Sequence, residues 1–345
     1  MGRPTGHAAS QTCDWEGVPL KLAFIIDPIA GLDPGHDTSV AFMEAAQELG
    51  HEVWITQIDR LSIVHSKAWA QLEPVSLQPV ELVEGRWIAG EQWYTLGSPR
   101  LLPLESMDVV LMRKDPPVTV AYLYATYILD CIDPQKTLVI NAPRGLRDAN
   151  EKMYALQFRE AIPETIVSQD KAVIRKFTEE KGAAVLKPLE GKAGEGVLLL
   201  NPGDRNLNSL IEVSTRRGQI PVMVQIYLPA AKEGDKRIIL LNGEPIGAVN
   251  RVPTGSEFRG NMAAGGSVVR SSLTGQERQI CDQLAPTLRR DGLVFVGIDI
   301  IGDYLTEVNV TSPTGVREID RLDNTRLGYR VMEWLVQTQR QGVKI

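Results

Sequence analysis

The stretch Asp299-Ile-Ile-Gly-Asp-Tyr-Leu-Thr-Glu307-Val-Asn309 decides how the rest of the chain is read. Apolar runs on either side of Gly302-Asp303 mark a hairpin, with strands over 293–301 and 304–310. Three polar side chains, Asp299, Glu307 and Asn309, interrupt those runs. An ionised carboxylate in an apolar strand is costly unless it is paired or bound to a cation. Glu307 and Asn309 are two apart and therefore share a face. Two carboxylates and an amide form a hard oxygen set that suits Mg²⁺, which is commonly held by one or two carboxylates plus substrate phosphates. The alternative is ion pairing to a buried arginine. Register separates the possibilities. If a two-residue turn sets Ile301 against Tyr304 and pairing runs on regularly, Asp299 faces Thr306 and Glu307 points to the other side of the sheet. One extra residue, in the loop or as a bulge, sets Asp299 opposite Glu307 with Asn309 diagonally beside them. We expect that extra residue.

Upstream, Lys187-Pro-Leu-Glu-Gly-Lys-Ala-Gly-Glu-Gly196 joins strands over 184–188 and 197–200. It is not a Walker A loop, because no Lys-Ser/Thr pair opens a helix there, nor is it a dinucleotide-binding fingerprint. A glycine turn in a hairpin can still lie against phosphates through its backbone N–H groups; a plain tight turn is the alternative. Lys187 interrupts an apolar strand just before this turn, and Arg237 opens another buried strand. Both fit the binding of anionic groups. Lys152, Lys236, Arg251, Arg259 and Arg317 are further basic residues, for each of which solvation is the default.

Working outward, residues 1–20 are polar and without periodicity, as in a disordered tail or a start assigned too early. Strand 21–27, loop 28–37, a helix capped by Asp37 or Thr38 and running to 49, and strand 51–57 open a doubly wound sheet. Residues 68–94 carry Trp69, Trp87 and Trp93 and suggest an inserted hairpin region. Strand 108–112, helix 118–132 and strand 137–141 follow, and composition shifts at Ala142-Pro143. Beyond it we expect helices over 148–158, 171–181, 274–290 and 318–338, and strands over 164–167, 221–228, 236–241 and 245–251. The last two strands are joined by Asn242-Gly243, a strong hairpin signal. Residues 252–266 hold several glycines and no apolar period, and we expect a mobile lid there.

The chain has 345 residues, about two domains' worth, and its net charge of −6 argues against a partner made of nucleic acid or anionic membrane. Three dispersed cysteines, Cys13, Cys131 and Cys281, make a disulfide framework improbable and favour a reducing, cytoplasmic setting. The four histidines all fall in the first fifth of the chain and offer no zinc-binding spacing. No apolar run reaches the ~18 residues of a membrane span, and the N-terminus lacks the apolar region of a secretory signal.

Together, the two quoted stretches and Val224-Gln-Ile-Tyr-Leu228 resemble the ATP-grasp superfamily. Phe24-Ile-Ile-Asp-Pro28, Met112-Arg-Lys-Asp-Pro-Pro117, Asn150-Glu-Lys152, Gly234-Asp-Lys-Arg237, Arg259-Gly-Asn261, Ala264-Gly-Gly266 and Asn309-Val-Thr-Ser-Pro-Thr-Gly315 narrow the resemblance to the bacterial glutathione synthetase family. The match runs from Lys21 to about Gln337; each motif alone is weak, and their number and order make it specific.

The resemblance implies an α/β protein. Its N-terminal doubly wound parallel-sheet domain, over 21–143, would bind substrate, and a two-lobed ATP-grasp domain of α+β type, over 144–338, would follow, with a tail at 339–345. It implies ligation of γ-glutamylcysteine to glycine with ATP as co-substrate, through an acyl phosphate, with Mg²⁺ or Mn²⁺ as cofactor. No nucleic acid or membrane partner is implied, and a homo-oligomer is. By position, Lys152 and Lys187 match lysines on the ATP phosphates. Gly194 lies in the glycine turn. Gln225, Tyr227 and Leu228 match the hinge that reads adenine, and Asp235 a ribose contact. Asp299, Glu307 and Asn309 match metal ligands. Arg237 and Arg259 match catalytic residues near the reaction centre. Arg251 and Arg317 match substrate contacts, and Ser39, in the loop at the sheet's carboxyl end, is a further candidate. A ligase for another acid and amine, or a non-catalytic nucleotide-binding regulator, are the competing readings. The regulator would be expected to have lost a metal ligand or a phosphate lysine, and none is lost here.

Overall fold

The computed structural model describes residues 18–191, 194–254 and 267–342. Chain 1–17, most of the expected tail, lies outside the described residues.

The first domain is built on a parallel sheet. Strand β1 (Lys21–Ile25) pairs in parallel with β2 (Glu52–Thr56) on one side. An antiparallel extension continues from there: β3 (Leu61–Val64), β4 (Lys67–Leu77), β5 (Glu81–Val83), β6 (Arg86–Ile88), β7 (Tyr94–Leu96) and β8 (Arg100–Pro103). Of these, β4 pairs with β2, β3, β7 and β8, while β5 and β6 make a separate ribbon. On its other side β1 pairs with β9 (Val109–Met112), and β9 with β10 (Leu138–Ile140), both in parallel. Alternation along β1 explains the layers. Leu22 and Phe24 join the core of α1 (Thr38–Glu48), whereas Ala23 and Ile25 join that of α2 (Val120–Leu129). Asp37 caps α1 by accepting from the N–H groups of Ser39 and Val40, at 2.6 and 3.1 Å.

Two antiparallel sheets follow α3 (Pro143–Asp148). In the first, β11 (Thr165–Ser168), α4 (Lys171–Lys181), β12 (Ala184–Pro188), β13 (Leu198–Leu200), α5 (Leu207–Ser214) and β14 (Val222–Ile226) give the strand order β11-β14-β12-β13. The second takes β15 (Asp235–Leu241), β16 (Glu244–Val252), β17 (Ser267–Arg270), α6 (Gly275–Arg290), β18 (Phe295–Ile301) and β19 (Tyr304–Asn309), in the order β17-β16-β15-β18-β19. This is the two-lobed arrangement expected.

Helices α7 (Val316–Asp323) and α8 (Leu327–Gln341) close the chain. They pack into one core with α1 and with Ile239 and Val249 of the second sheet, so the end of the chain locks the two domains together. Gly328 sits where an added Cβ would lie 2.9 Å from the Ala41 carbonyl oxygen, so only glycine lets α8 approach α1 this closely. A second lock is Asn141, buried at the end of β10. Its amide donates to the carbonyls of Phe295 and Val310, at 2.9 and 2.7 Å, and its Oδ1 accepts from the N–H groups of Val294 and Phe295.

Several expectations are corrected. The helix over 148–158 is instead α3 followed by a 3₁₀ turn at Met153–Gln157. The chain restarts because Asn150 Oδ1 accepts from the N–H groups of Lys152 and Met153. The helix over 318–338 is broken at Asn324, which is left-handed, and the Asp320 carboxylate caps the break by accepting from Leu327 N–H at 2.7 Å. Helix α5 had no counterpart in the sequence reading. Residues 339–341, expected in a tail, continue α8.

Candidate active site

The register of β16, β15, β18 and β19 lays charged residues side by side. Arg251 stands opposite Asp235 on β15; two residues on, Arg237 stands opposite Asp299 on β18; and Asp299 stands opposite Glu307 on β19. Ile301 does pair with Tyr304, but the ladder slips between Asp299 and Ile300, leaving Thr306 as the extra residue. The expected bulge is present. Asp299, Glu307 and Asn309 all line one cleft of about 430 Å³. Lys187 and Gln225 from the first sheet, Lys152, and the first-domain loop with Asp33 and His36 complete its walls.

Each cation at this end of the cleft has a partner. Arg237 donates through Nε and Nη2 to the two oxygens of Asp299, at 2.5 and 2.9 Å, and through Nη1 to Thr314 O at 3.1 Å. Arg251 Nη2 lies 2.7 Å from Asp235 Oδ2 and 3.0 Å from Asp299 Oδ1. Asn309 Nδ2 donates to Asp299 Oδ2 at 3.2 Å. Lys152 Nζ lies 2.9 Å from Glu307 Oε1 and donates to Gly191 O at 2.7 Å. Lys187 Nζ donates to Gln225 Oε1 at 2.7 Å, and Gln225 Nε2 donates to Thr165 Oγ1 at 3.0 Å. The arginine pairing expected as the alternative for Asp299 is present, and Asp299 also shares the cleft with Glu307 and Asn309.

Burial and charge work against each other here. Burial pushes Asp299 up, but Arg237 and Arg251 outweigh it and hold the carboxyl below the usual carboxylate range. Burial wins at Asp235, whose pKa is raised despite Arg251. Its Oδ1 is buried without a hydrogen-bond partner among the described residues and is free to accept from a ligand hydroxyl. Burial lowers Lys187, as expected for an ammonium out of water whose charge an anionic ligand would restore.

The donor set fits a divalent cation shared with a phosphate. Among the described residues no three His, Cys, Asp or Glu side chains cluster into a self-sufficient cage. Two carboxylates and an amide remain, the incomplete oxygen shell that phosphate oxygens can finish.

Two expected site residues are displaced from the cleft. Ser39 is buried in the first turn of α1, where its Oγ accepts from Arg113 Nε at 3.1 Å; it braces the loop instead of facing the cleft. Arg317 is buried in α7, ion-paired with Glu44 of α1, its guanidinium 4.9 Å from the centre of the Trp87 ring. Both of its neighbours belong to the first domain, which is why it is drawn off the cleft. Gly194, Tyr227 and Leu228 do line the cleft, as do Asp235 and Arg251. Arg259, residues 192–193 of the glycine turn and 255–266 of the expected lid lie outside the described residues.

Sequence reasoning missed Glu151, Arg113 and His36. Glu151 Oε1 accepts from Val310 N–H, Thr311 N–H and Thr311 Oγ1, at 2.9, 3.0 and 2.8 Å, and Glu151 O accepts from Val308 N–H. It clamps the strand that carries Glu307 and Asn309. Burial, reinforced by Glu307, raises its pKa. The available signal was Asn150-Glu-Lys152, of which only the lysine was given a role. Arg113 ties β9 to the Pro313 carbonyl at 3.0 Å.

Models of the prokaryotic glutathione synthetase N-terminal domain and ATP-grasp domain match residues 20–147 and 151–324. The chain belongs to the prokaryotic glutathione synthetase family. It is 67% identical to the glutathione synthetase of Nostoc sp. over 92% of this chain and 98% of that one. With that of Pseudomonas putida it shares 41% identity over 91% of this chain and 96% of the other. Among solved structures, D-cycloserine synthetase DcsG superposes with a TM-score of 0.62 at 15% identity, covering 92% of this chain and 99% of that one, a likeness of fold alone.

Proposed function

We propose that the cleft joins γ-glutamylcysteine to glycine at the expense of ATP, forming glutathione, ADP and phosphate. The observation that carries this is the meeting in one cleft of Lys152, Lys187 and the Asp299–Glu307–Asn309 face, in a chain similar to glutathione synthetases over nearly its whole length. In this reading ATP lies along β12 and β14, with adenine against Gln225 and residues 226–228, ribose at Asp235 Oδ1, and phosphates between Lys152, Lys187 and the turn at Gly191 and Gly194. Asp299, Glu307 and Asn309 would hold Mg²⁺ or Mn²⁺, which screens phosphate charge as a carboxylate approaches. Arg237 stands beside that face with its charge balanced by Asp299, so incoming anionic oxygens compete for it. Arg259 is assigned to the reaction centre by position in the sequence alone. Arg251, locked between two carboxylates, orders Asp235 and Asp299, and is placed here as a support for the substrate site.

Residues 21–143 and 144–338 are taken as the substrate-binding and ATP-grasp domains. Among the described residues no helix is long and apolar enough to cross a membrane, and we assign the reaction to the cytoplasm. A homo-oligomer is part of the same reading; α2 exposes Val120, Tyr124 and Tyr127, and sedimentation would test it. The decisive assay measures ADP release with γ-glutamylcysteine and a panel of amines and acids. Release that needs γ-glutamylcysteine and glycine together supports the assignment; equal release with unrelated acids overturns it.

A further inference from the structure

We propose that His36 recognises the non-reacting α-carboxylate at the glutamyl end of γ-glutamylcysteine, and so selects the acid substrate from the first-domain side of the cleft. This rests on the function proposed above. Five cationic or titratable nitrogenous side chains line the cleft among the described residues: Lys152, Lys187, Arg237, Arg251 and His36. Four belong to the ATP-grasp half and are engaged there. His36 is the one contributed by the first domain, from the loop that precedes α1.

The local geometry prepares His36 as a donor. Its Nδ1 lies 2.5 Å from Glu318 Oε1. Glu318 is 8% exposed, in the first turn of α7, where the helix dipole favours its negative charge. It does not line the cleft, so the acid stands behind the imidazole. The other Glu318 oxygen is buried without a hydrogen-bond partner among the described residues. The neighbouring Arg317 is committed to Glu44. The hydrogen bond to Glu318, with the charges of Glu318, Asp33 and Asp37, outweighs burial and raises the His36 pKa. A protonated ring has two N–H groups. Nδ1 serves Glu318, and no described residue accepts from Nε2. When the ring is protonated, its Nε2–H is a charge-assisted donor on the part of the cleft lining that the first domain supplies.

The connectivity of the substrates favours one carboxylate. The cysteinyl carboxylate must lie at the γ-phosphate, among Lys152 and Lys187. Glycine's carboxylate is one carbon from its amine, and that amine must also reach the acyl phosphate. Only the glutamyl end extends a further residue's length, ~3.5 Å or more, from the reacting carbon. Asp33 and Asp37, beside His36, suit the ammonium that accompanies this carboxylate.

The test is a cycle between protein and substrate. γ-Glutamylcysteine is compared with 4-aminobutanoyl-cysteine, which lacks only the α-carboxylate, in wild type, His36→Ala, His36→Gln and His36→Lys. In wild type the truncated substrate should lose about 10–100-fold in kcat/KM. In His36→Ala and His36→Gln that penalty should shrink toward one, with the KM values for ATP and glycine within about twofold of wild type. His36→Lys should restore much of the discrimination. An undiminished truncation penalty in both neutral variants, or a rise confined to the glycine KM, overturns the proposal. If His36→Ala alone loses its fold, the Gln and Lys variants decide. Wild type that releases no ADP with γ-glutamylcysteine and glycine would instead refute the functional reading beneath it.

Discussion

Two groups of buried charges invite comparison. One lies on β15, β16, β18 and β19 and comprises Arg237, Arg251, Asp235, Asp299 and Glu307. The other lies between α1 and α7 and comprises Arg317, Glu44, Glu318 and His36. Both pair arginine with carboxylate out of water, an arrangement that contributes little net stability but is costly to leave half-broken. They differ in what surrounds them. The strand cluster faces the cleft, so an incoming ligand can replace its internal partners. Most of the helix cluster is sealed between two domains, and only His36 emerges into the cleft. Pairing alone therefore does not reveal role; access does.

The sharpest way to break this comparison is to remove one charge from the open cluster. Glu307→Gln keeps the shape but weakens the oxygen face and frees Lys152 from its ion pair. Lys152 retains Gly191 O as a partner. Activity should fall at least about 100-fold, comparable to loss of a key electrostatic group at a reaction centre. The divalent-cation concentration needed for half-maximal rate should rise, while thermal stability without metal stays the same or increases. Substantial unfolding of Glu307→Gln, or full activity, would put Glu307 in the structural class with Arg317.

The sealed cluster should behave oppositely. Arg317→Met leaves Glu44 buried with only Val80 N–H and no cation. Burial already raises the Glu44 pKa, and loss of Arg317 should force protonation or unfolding. A destabilisation of about 3–5 kcal/mol is expected, read by urea unfolding. The ATP KM of the folded fraction should be unchanged. Adding Glu44→Gln should recover much of the loss. A large rise in the ATP KM without loss of stability would return Arg317 to the cleft.

These two clusters also show what the sequence could and could not convey. Asp299, Glu307 and Asn309 were legible because a charged residue in an apolar strand is locally anomalous, and hairpin register is local too. Lys187 was legible for the same reason. Ser39 and Arg317 were misplaced because their environments come from partners 74 and 273 positions away in the chain, Arg113 and Glu44. Nothing near them in sequence says which face of α1 or α7 is covered. The opening β-α-β unit was legible from its apolar runs and helix cap, whereas the two-lobed second domain was implied only by the resemblance carried by the quoted motifs. The break between α7 and α8 escaped because a left-handed Asn324, its N–H bonded to the Asp320 carbonyl while the Asp320 carboxylate holds Thr325 and Leu327, does not interrupt the apolar period enough to be seen.

That break supplies the smallest expected effect and extends the comparison to a partly buried acid outside both clusters, one without an ion-pair partner among the described residues. Asp320 Oδ1 accepts from Leu327 N–H at 2.7 Å and Thr325 Oγ1 at 2.9 Å. Burial outweighs these bonds and pushes its pKa up to about 6. The folded state therefore binds this proton more tightly than the unfolded chain, whose Asp titrates near ~3.9. The stabilising contribution of the protonated form is complete below about pH 4 and is lost as pH rises through about 6. Above that, the fold carries a charged, partly buried carboxylate. Asp320→Asn keeps an acceptor for both donors and removes the charge. It should raise stability at pH 8 by about 1–2 kcal/mol, a full two-unit shift being discounted for partial solvent screening. The advantage should shrink between pH 6 and 4 as the wild-type carboxyl takes up its proton. The difference between variant and wild type isolates this site from every other carboxyl titrating in the same range. An advantage that does not vary with pH would mean that the amide merely packs better, and a loss of stability at pH 8 would mean that the ionised Asp320 is what holds α7 and α8 apart.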